Sequence, residues 1–208
     1  MFKSKVSTVR PKKKVAKRSL GYDTQKLLEG GVTIEDLKNA VKLPEGQNLY
    51  EWLSVNCFDF EETIQLVYSS VSDFCSDATC PVMNAGPAVE YLWVIDKKPT
   101  QVSAQKYCEL LFVWICECFD NRKIFPEEFT DKPPKKFMDT ITKIYRRLFR
   151  VFAHLFYSHM DHLKAVEMDG IALQTFKHFY LFCEEYKLLK PEDCEPLSKM
   201  IESISANK

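Results

Sequence analysis

No run of apolar residues in this chain approaches the roughly 20 needed to cross a bilayer. The N-terminus opens with lysine and arginine but lacks the apolar stretch of a secretory signal. Both absences point to a soluble protein of the cytosol or nucleus. No internal repeat and no second domain is visible, and there is neither a glycine-rich phosphate loop nor a nucleophile elbow. The motifs therefore give no reason to expect an enzyme. The first 18 residues hold no acid at all.

Those 18 residues hold eight bases: Lys3, Lys5, Arg10, Lys12, Lys13, Lys14, Lys17 and Arg18. With 29 basic and 29 acidic residues in all, the remaining 190 carry 21 bases against 29 acids, a balance of −8. A basic, disordered tail over residues 1–20 thus precedes an acidic body over 21–208. The body suits a basic partner segment better than nucleic acid, which is not expected as a partner. The tail could touch RNA, a membrane or the body itself; the plainer reading is a solvated arm. At 46% apolar, 208 residues suffice for one sizeable core. Without a signal peptide, the eight cysteines read as thiols or metal ligands rather than disulfides. Cys108, Cys116, Cys118 and Cys183 sit in apolar helical patterns and read as core.

Helical spacing dominates the body. Thr33 with Asp36 is a capping-box pattern opening a short helix to about Leu43. Asn48 can cap a helix containing Trp52. Asp59 with Glu62 opens another, with Phe60, Ile64, Val67, Tyr68, Val71 and Phe74 on one face. Residues 76–102 are irregular, and 90–95 suggest a short strand or hairpin arm. A helix from Ser103 to about Phe119 turns Tyr107, Leu110, Leu111, Trp114 and Cys118 inward. After Pro133 and Pro134 comes the longest helix, about 135–165, with Phe137, Ile141, Ile144, Leu148, Val151 and Leu155 on its apolar face. Helices at about 171–187 and from Pro191 close the chain. The predicted fold is all-α, a four-helix-bundle core with short additional helices and a small hairpin excursion.

Cys75-Ser-Asp-Ala-Thr-Cys80 is a C-x4-C pair at a helix-to-loop junction, and His154-Leu-Phe-Tyr-Ser-His159 is an H-x4-H pair. Together they offer two sulfurs and two nitrogens, a closed tetrahedral set for one structural zinc with no open catalytic position. On an ideal helix, residues five apart are about 140° apart, so the helix must bend or end near His159 for both imidazoles to face one ion. His159 with His162 is the easier geometry. His154 falls near the polar edge of the wheel, which favours a ligand over a core histidine; the alternative is scattered core cysteines and histidines. Lys143, Arg146, Arg147 and Arg150 share an arc of about 100° on the long helix, opposite its apolar face. Arginine forks match phosphate, so the arc reads as a phosphopeptide or other anion site, or as an ordinary solvated face.

The runs Leu43-Pro-Glu-Gly46, Asn48-Leu-Tyr-Glu-Trp52, Phe74-Cys-Ser-Asp-Ala-Thr-Cys-Pro-Val-Met83, Ala85-Gly-Pro87, Glu90-Tyr-Leu-Trp93, Leu148-Phe-Arg-Val-Phe-Ala-His154 and Thr175-Phe-Lys-His-Phe179 occur in this order. Over about residues 22–204 they resemble the Mob/phocein family of kinase coactivators, most of all the branch that activates NDR/LATS-type AGC kinases in Hippo and mitotic-exit signalling. The resemblance implies a non-catalytic, monomeric adaptor with one zinc held by Cys75, Cys80, His154 and His159, leaving His162 and His178 ordinary roles. It implies that Arg146, Arg147 and Arg150, with Lys143 beside them, bind phosphothreonine segments of sterile-20-type kinases or scaffolds. It implies that Glu51, Trp52 and Asp59 bind the basic N-terminal segment of the kinase, although Glu51 and Asp59 also suit helix-capping roles. Thr8 matches a regulatory phosphorylation site, and the basic tail would cover the acidic face until Thr8 is phosphorylated. Cytoplasm and nucleus follow, with spindle poles or the division site as places of action. Gln47 stands where the family often carries an acid, and Gly31 where it has a second phosphorylated threonine; Thr33 nearby is a substitute that also reads as a cap. Other branches of the family imply an alternative, a phosphopeptide-binding scaffold in a kinase–phosphatase assembly that activates no NDR kinase.

Overall fold

The computed structural model describes residues 9–11 and 32–206. The fold is mostly helical with a small antiparallel sheet. In chain order its elements are β1 (Val9–Pro11), α1 (Ile34–Ala40), α2 (Leu49–Ser69), β2 (Val89–Ile95), β3 (Lys98–Gln101), α3 (Ala104–Asp120), α4 (Phe137–Ser158), α5 (Met160–Ala165), α6 (Asp169–Glu185), α7 (Pro191–Cys194) and α8 (Ser198–Ala206). Among the described residues no helix is long and apolar enough to cross a membrane. Thr8, Gly31 and most of the basic tail lie outside the described residues.

Local chemistry accounts for the starts of α1 and α2. The Thr33 hydroxyl accepts from the Asp36 amide at 3.1 Å, and the Asp36 carboxylate accepts from the Thr33 amide at 3.1 Å. Asn48 Oδ1 accepts from the Tyr50 and Glu51 amides at 2.8 and 3.2 Å. The sequence predicts separate helices at Asn48 and Asp59, but α2 runs through both. No glycine or proline interrupts 49–69, and Leu53, Cys57 and Phe60 continue one buried stripe. Asp59 therefore lies in mid-helix and caps nothing. Phe74, expected on the inner face, is 41% exposed, because α2 ends at Ser69 and a 3₁₀ turn at Ser72–Phe74 redirects the chain. Leu110 and Trp114 of α3 are only half-buried.

Helix α4 sits against both α2 and α3, while α2 also packs on α6. Its first half is amphipathic; from Leu148 to Phe156 every residue is buried. An aromatic hub joins three helices: the Phe179 ring of α6 lies 5.4 Å from Phe60, 5.5 Å from Tyr145 and 5.4 Å from Phe152.

The hairpin expected near 90–95 is present. Strand β2 pairs antiparallel with β3, Leu92 opposite Gln101, and its two-residue turn puts Asp96 and Lys97 at positive φ. On its other edge β2 pairs with β1, Val9 opposite Tyr91, so a strand stands within the segment expected to be a disordered tail. The turn before β2 needs a glycine: Gly86 has φ +72°, and a Cβ there would meet Tyr157 Cε1 at 2.6 Å. This close approach holds the loop carrying Asn84 against the end of α4.

Candidate metal centre and arginine face

The 3₁₀ turn after α2 delivers Cys75. The loop beyond is folded back by Thr79, whose hydroxyl donates to the Phe74 carbonyl at 2.7 Å and accepts from the Ser76 amide at 2.9 Å. The Cys80 amide donates to the Ser76 carbonyl at 2.8 Å. Both sulfurs thereby face α4. At the end of α4 the helix breaks: His159 has φ −129° and ψ 13°, between α4 and α5. That break removes the difficulty of two imidazoles five residues apart.

The structure brings Cys75, Cys80, His154 and His159 together, all buried, with one ligand atom from each inside 4.8 Å of the others; together they could hold one metal ion. Cys75 Sγ lies 3.5 Å from His154 Nε2, and Cys80 Sγ lies 3.4 Å from His159 Nε2. A zinc tetrahedron with Zn–S near 2.3 Å and Zn–N near 2.1 Å has sulfur–nitrogen edges of about 3.6 Å, so the donors fit. The outer contacts fit as well. His154 Nδ1 donates to the Asn84 carbonyl at 2.9 Å, which leaves Nε2 bare for a metal. His159 Nδ1 meets His162 Nδ1 at 3.3 Å, and the His162 ring stacks on Phe74 at 4.3 Å. His162 thus supports His159 from behind and is not among the four donors. His154, expected at the polar edge of the helix, is fully buried, because the loop at 80–86 covers that edge.

Burial pushes the Cys75 thiol up to about 12, with the Cys80 charge adding to it. Burial also lowers His154, and lowers His159 to about 4, helped by His154 and His162. Both imidazoles are therefore neutral ligands at pH 7, whereas the thiols must lose protons when metal enters. Protons compete with the ion for the thiolates and, at lower pH, for the imidazoles, so metal occupancy is expected to fall as the pH is lowered, as read by metal analysis after gel filtration across a pH series. Occupancy that stays complete in acid until the chain unfolds would contradict this.

The arginine arc is not a solvated face. Lys143 is exposed, Arg146 and Arg147 are half-buried, and Arg150 is buried. Arg146 Nε and Nη2 each donate to Asp193 at 2.7 Å. The Arg147 guanidinium lies 4.0 Å from the Trp93 ring and 4.6 Å from the Trp114 ring. Arg150 Nη1 donates to Tyr107 Oη at 3.1 Å, and its guanidinium sits 5.1 Å from the Tyr91 ring. Burial works against the Arg150 charge, but Tyr107, Tyr91 and Asp193 outweigh it and its pKa is raised. The wheel placed the arginines opposite the apolar face; it could not show that the hairpin, α3 and α7 close around them.

On α2, Glu51 and Asp59 are exposed and Trp52 is half-buried, its ring 6.4 Å from Phe182. Asp59, Asn56 and Thr63 line a depression of about 210 Å³ with Gln174, Thr175 and His178 of α6. His178 thus shares a surface with Asp59. Asn84 and Asp193 are further residues of these sites that the sequence did not mark, while Trp93 stood out only within a motif run and Trp114 only as an inward helix position. Each joins from a distant part of the chain, and no local spacing marks it.

Residues 30–197 match the Mob1/phocein family. "MOB kinase activator-like 1 homolog C" of Dictyostelium discoideum is 40% identical over 211 residues, covering 100% of this chain and 98% of that protein. "MOB kinase activator-like 3" of Drosophila melanogaster is 40% identical over 215 residues, covering 100% and 96%. "Maintenance of ploidy protein mob1" of Schizosaccharomyces pombe is 39% identical over 186 residues, covering 88% and 89%.

Proposed function

We propose that this chain, which belongs to the Mob1/phocein family, is a non-catalytic kinase coactivator that binds and activates an NDR/LATS-type AGC kinase. The observation that carries the reading is the end-to-end match to relatives named as kinase activators. The kinase's basic N-terminal segment docks on the acidic side of α2, at Glu51, Trp52 and Asp59. Two exposed carboxylates beside a half-buried indole and a shallow depression suit a basic segment with apolar anchors. A phosphothreonine segment of a sterile-20-type kinase or scaffold docks at Lys143, Arg146, Arg147 and Arg150. Trp93 and Trp114 hold Arg147 in place, which lowers the ordering cost of an anion site. Holding both partners on one frame raises their effective concentration.

The metal in this reading is one structural zinc, since two thiolates and two imidazoles close its coordination. Zinc supplies no chemistry to a substrate here; it ties the 75–80 loop to α4, beside the arginines. The four long helices, α2, α3, α4 and α6, serve as the bundle that carries both faces. Action in the cytoplasm and nucleus, within Hippo or mitotic-exit-like signalling, belongs to the same proposal.

The test is a kinase assay. An NDR/LATS-type kinase is assayed alone, with the purified protein, and after removal of its own basic N-terminal segment. Activity is expected to rise several-fold with the protein, and only when the kinase segment is present. No rise with folded, zinc-loaded protein would favour the scaffold role in a kinase–phosphatase assembly.

A further inference from the structure

The arginine face already contains an anion. Asp193 presents both carboxylate oxygens to Arg146, Oδ2 to Nε and Oδ1 to Nη2, each at 2.7 Å. This is the two-point pairing that a phosphate would make with the same fork. The Asp193 side chain is 6% exposed and that of Arg146 28%. Asp193 also lies close enough to Arg150 and Tyr91 to act on both electrostatically. It belongs to α7, a four-residue helix, and its Oδ2 accepts from the Lys190 amide at 3.1 Å.

We infer that Asp193 is an internal competitor for the arginine face: its carboxylate occupies the Arg146 fork, and an incoming phosphothreonine must displace it. This rests on the reading of that face as a phosphopeptide site. An internal group sits at high effective concentration and lowers the apparent affinity of every outside anion by the same factor. A glutamate side chain brings one charge and two oxygens, the same as Asp193, and so falls below a useful affinity. A phosphothreonine brings a charge of about −1.5 to −2 and three strong acceptor oxygens, with Lys143 exposed nearby to take part. The carboxylate thereby sets a threshold that a dianion clears and a monoanion does not. Since the second phosphate pKa is about 6, affinity falls as pH drops below that value.

Three capped pentapeptides that differ only in a central phosphothreonine, glutamate or threonine are titrated into the whole protein and followed by NMR, which reads weak binding. Wild type is compared with Asp193→Asn, which keeps an oxygen for the Lys190 amide, and with Asp193→Ser. Thermal melts check folding. The phosphothreonine peptide is expected to bind wild type and to tighten about fivefold in both variants. The glutamate peptide becomes measurable only in the variants, and Arg146→Ala, Asp193→Asn together lose the gain. Unchanged affinity in folded variants would overturn the competitor while leaving the phosphopeptide site standing. Weaker binding would make Asp193 a positioning residue for Arg146 and also overturn it. Absence of phosphothreonine binding in wild type and variants alike would remove the phosphopeptide reading, and the competitor with it.

Discussion

Cys80→Ser and His154→Ala are each expected to release the metal and to lower Tm by about 8–16 °C. Loss of a bound metal belongs with the largest single-residue effects, about 4 kcal/mol or more, and a chain of this size shifts by about 2–4 °C per kcal/mol. The four donors come from two places in the chain, and their only covalent tie is the long run through β2, β3 and α3. Without the ion, two buried thiols and two buried imidazoles face one another across sulfur–nitrogen contacts of 3.4 and 3.5 Å in place of four metal bonds. The 75–80 loop loses its metal tie to α4, leaving the His154 contact to Asn84 and the approach of Gly86 to Tyr157. Metal analysis should give about one zinc per wild-type chain and none in the variants. A metal-free wild type with unchanged melting would contradict the site outright.

Phe179→Ala is expected to cost about 4 kcal/mol without touching metal content. Phe179 is fully buried, and its ring meets aromatic neighbours on α2 and α4 at once. Edge-on and tilted rings fill that space closely, and three helices cannot all collapse into the gap that truncation leaves. Chemical denaturation with an unchanged m-value checks the loss. A cost below about 1 kcal/mol would mean that the hub is loosely packed. The contrast with the zinc variants is informative: this loss leaves the metal in place, whereas theirs removes it.

The two donor pairs are legible because spacing and residue type carry them, and a bend or end of the helix near His159 is the condition for both imidazoles to face one ion. The choice between His159 and His162 was not legible from spacing. It depends on how the 75–80 loop folds around Thr79 and on the stacking of His162 over Phe74. The burial of His154 escaped the wheel because its cover comes from the loop near Gly86, which only a glycine allows so close to Tyr157. The arginine arc was visible on one helix, yet its environment was not. Asp193 reaches Arg146 from 47 residues downstream, and the hairpin brings Trp93 over Arg147. Helix periodicity says which side of a helix a residue occupies, not what lies above it. The single helix α2 reads as two in the sequence because Asn48 and Asp59 are both good capping types; only Asn48 is followed by amides that need a cap.

The most direct measurement is calorimetric titration of the zinc-loaded protein with the basic N-terminal segment of an NDR/LATS-type kinase, beside Asp59→Lys. Asp59 is exposed in mid-helix and caps nothing, so the variant should fold, as circular dichroism would confirm. Binding by wild type and its loss in the folded variant is the expected result. No binding by folded, zinc-loaded wild type, even after phosphorylation of Thr8, would contradict the coactivator function.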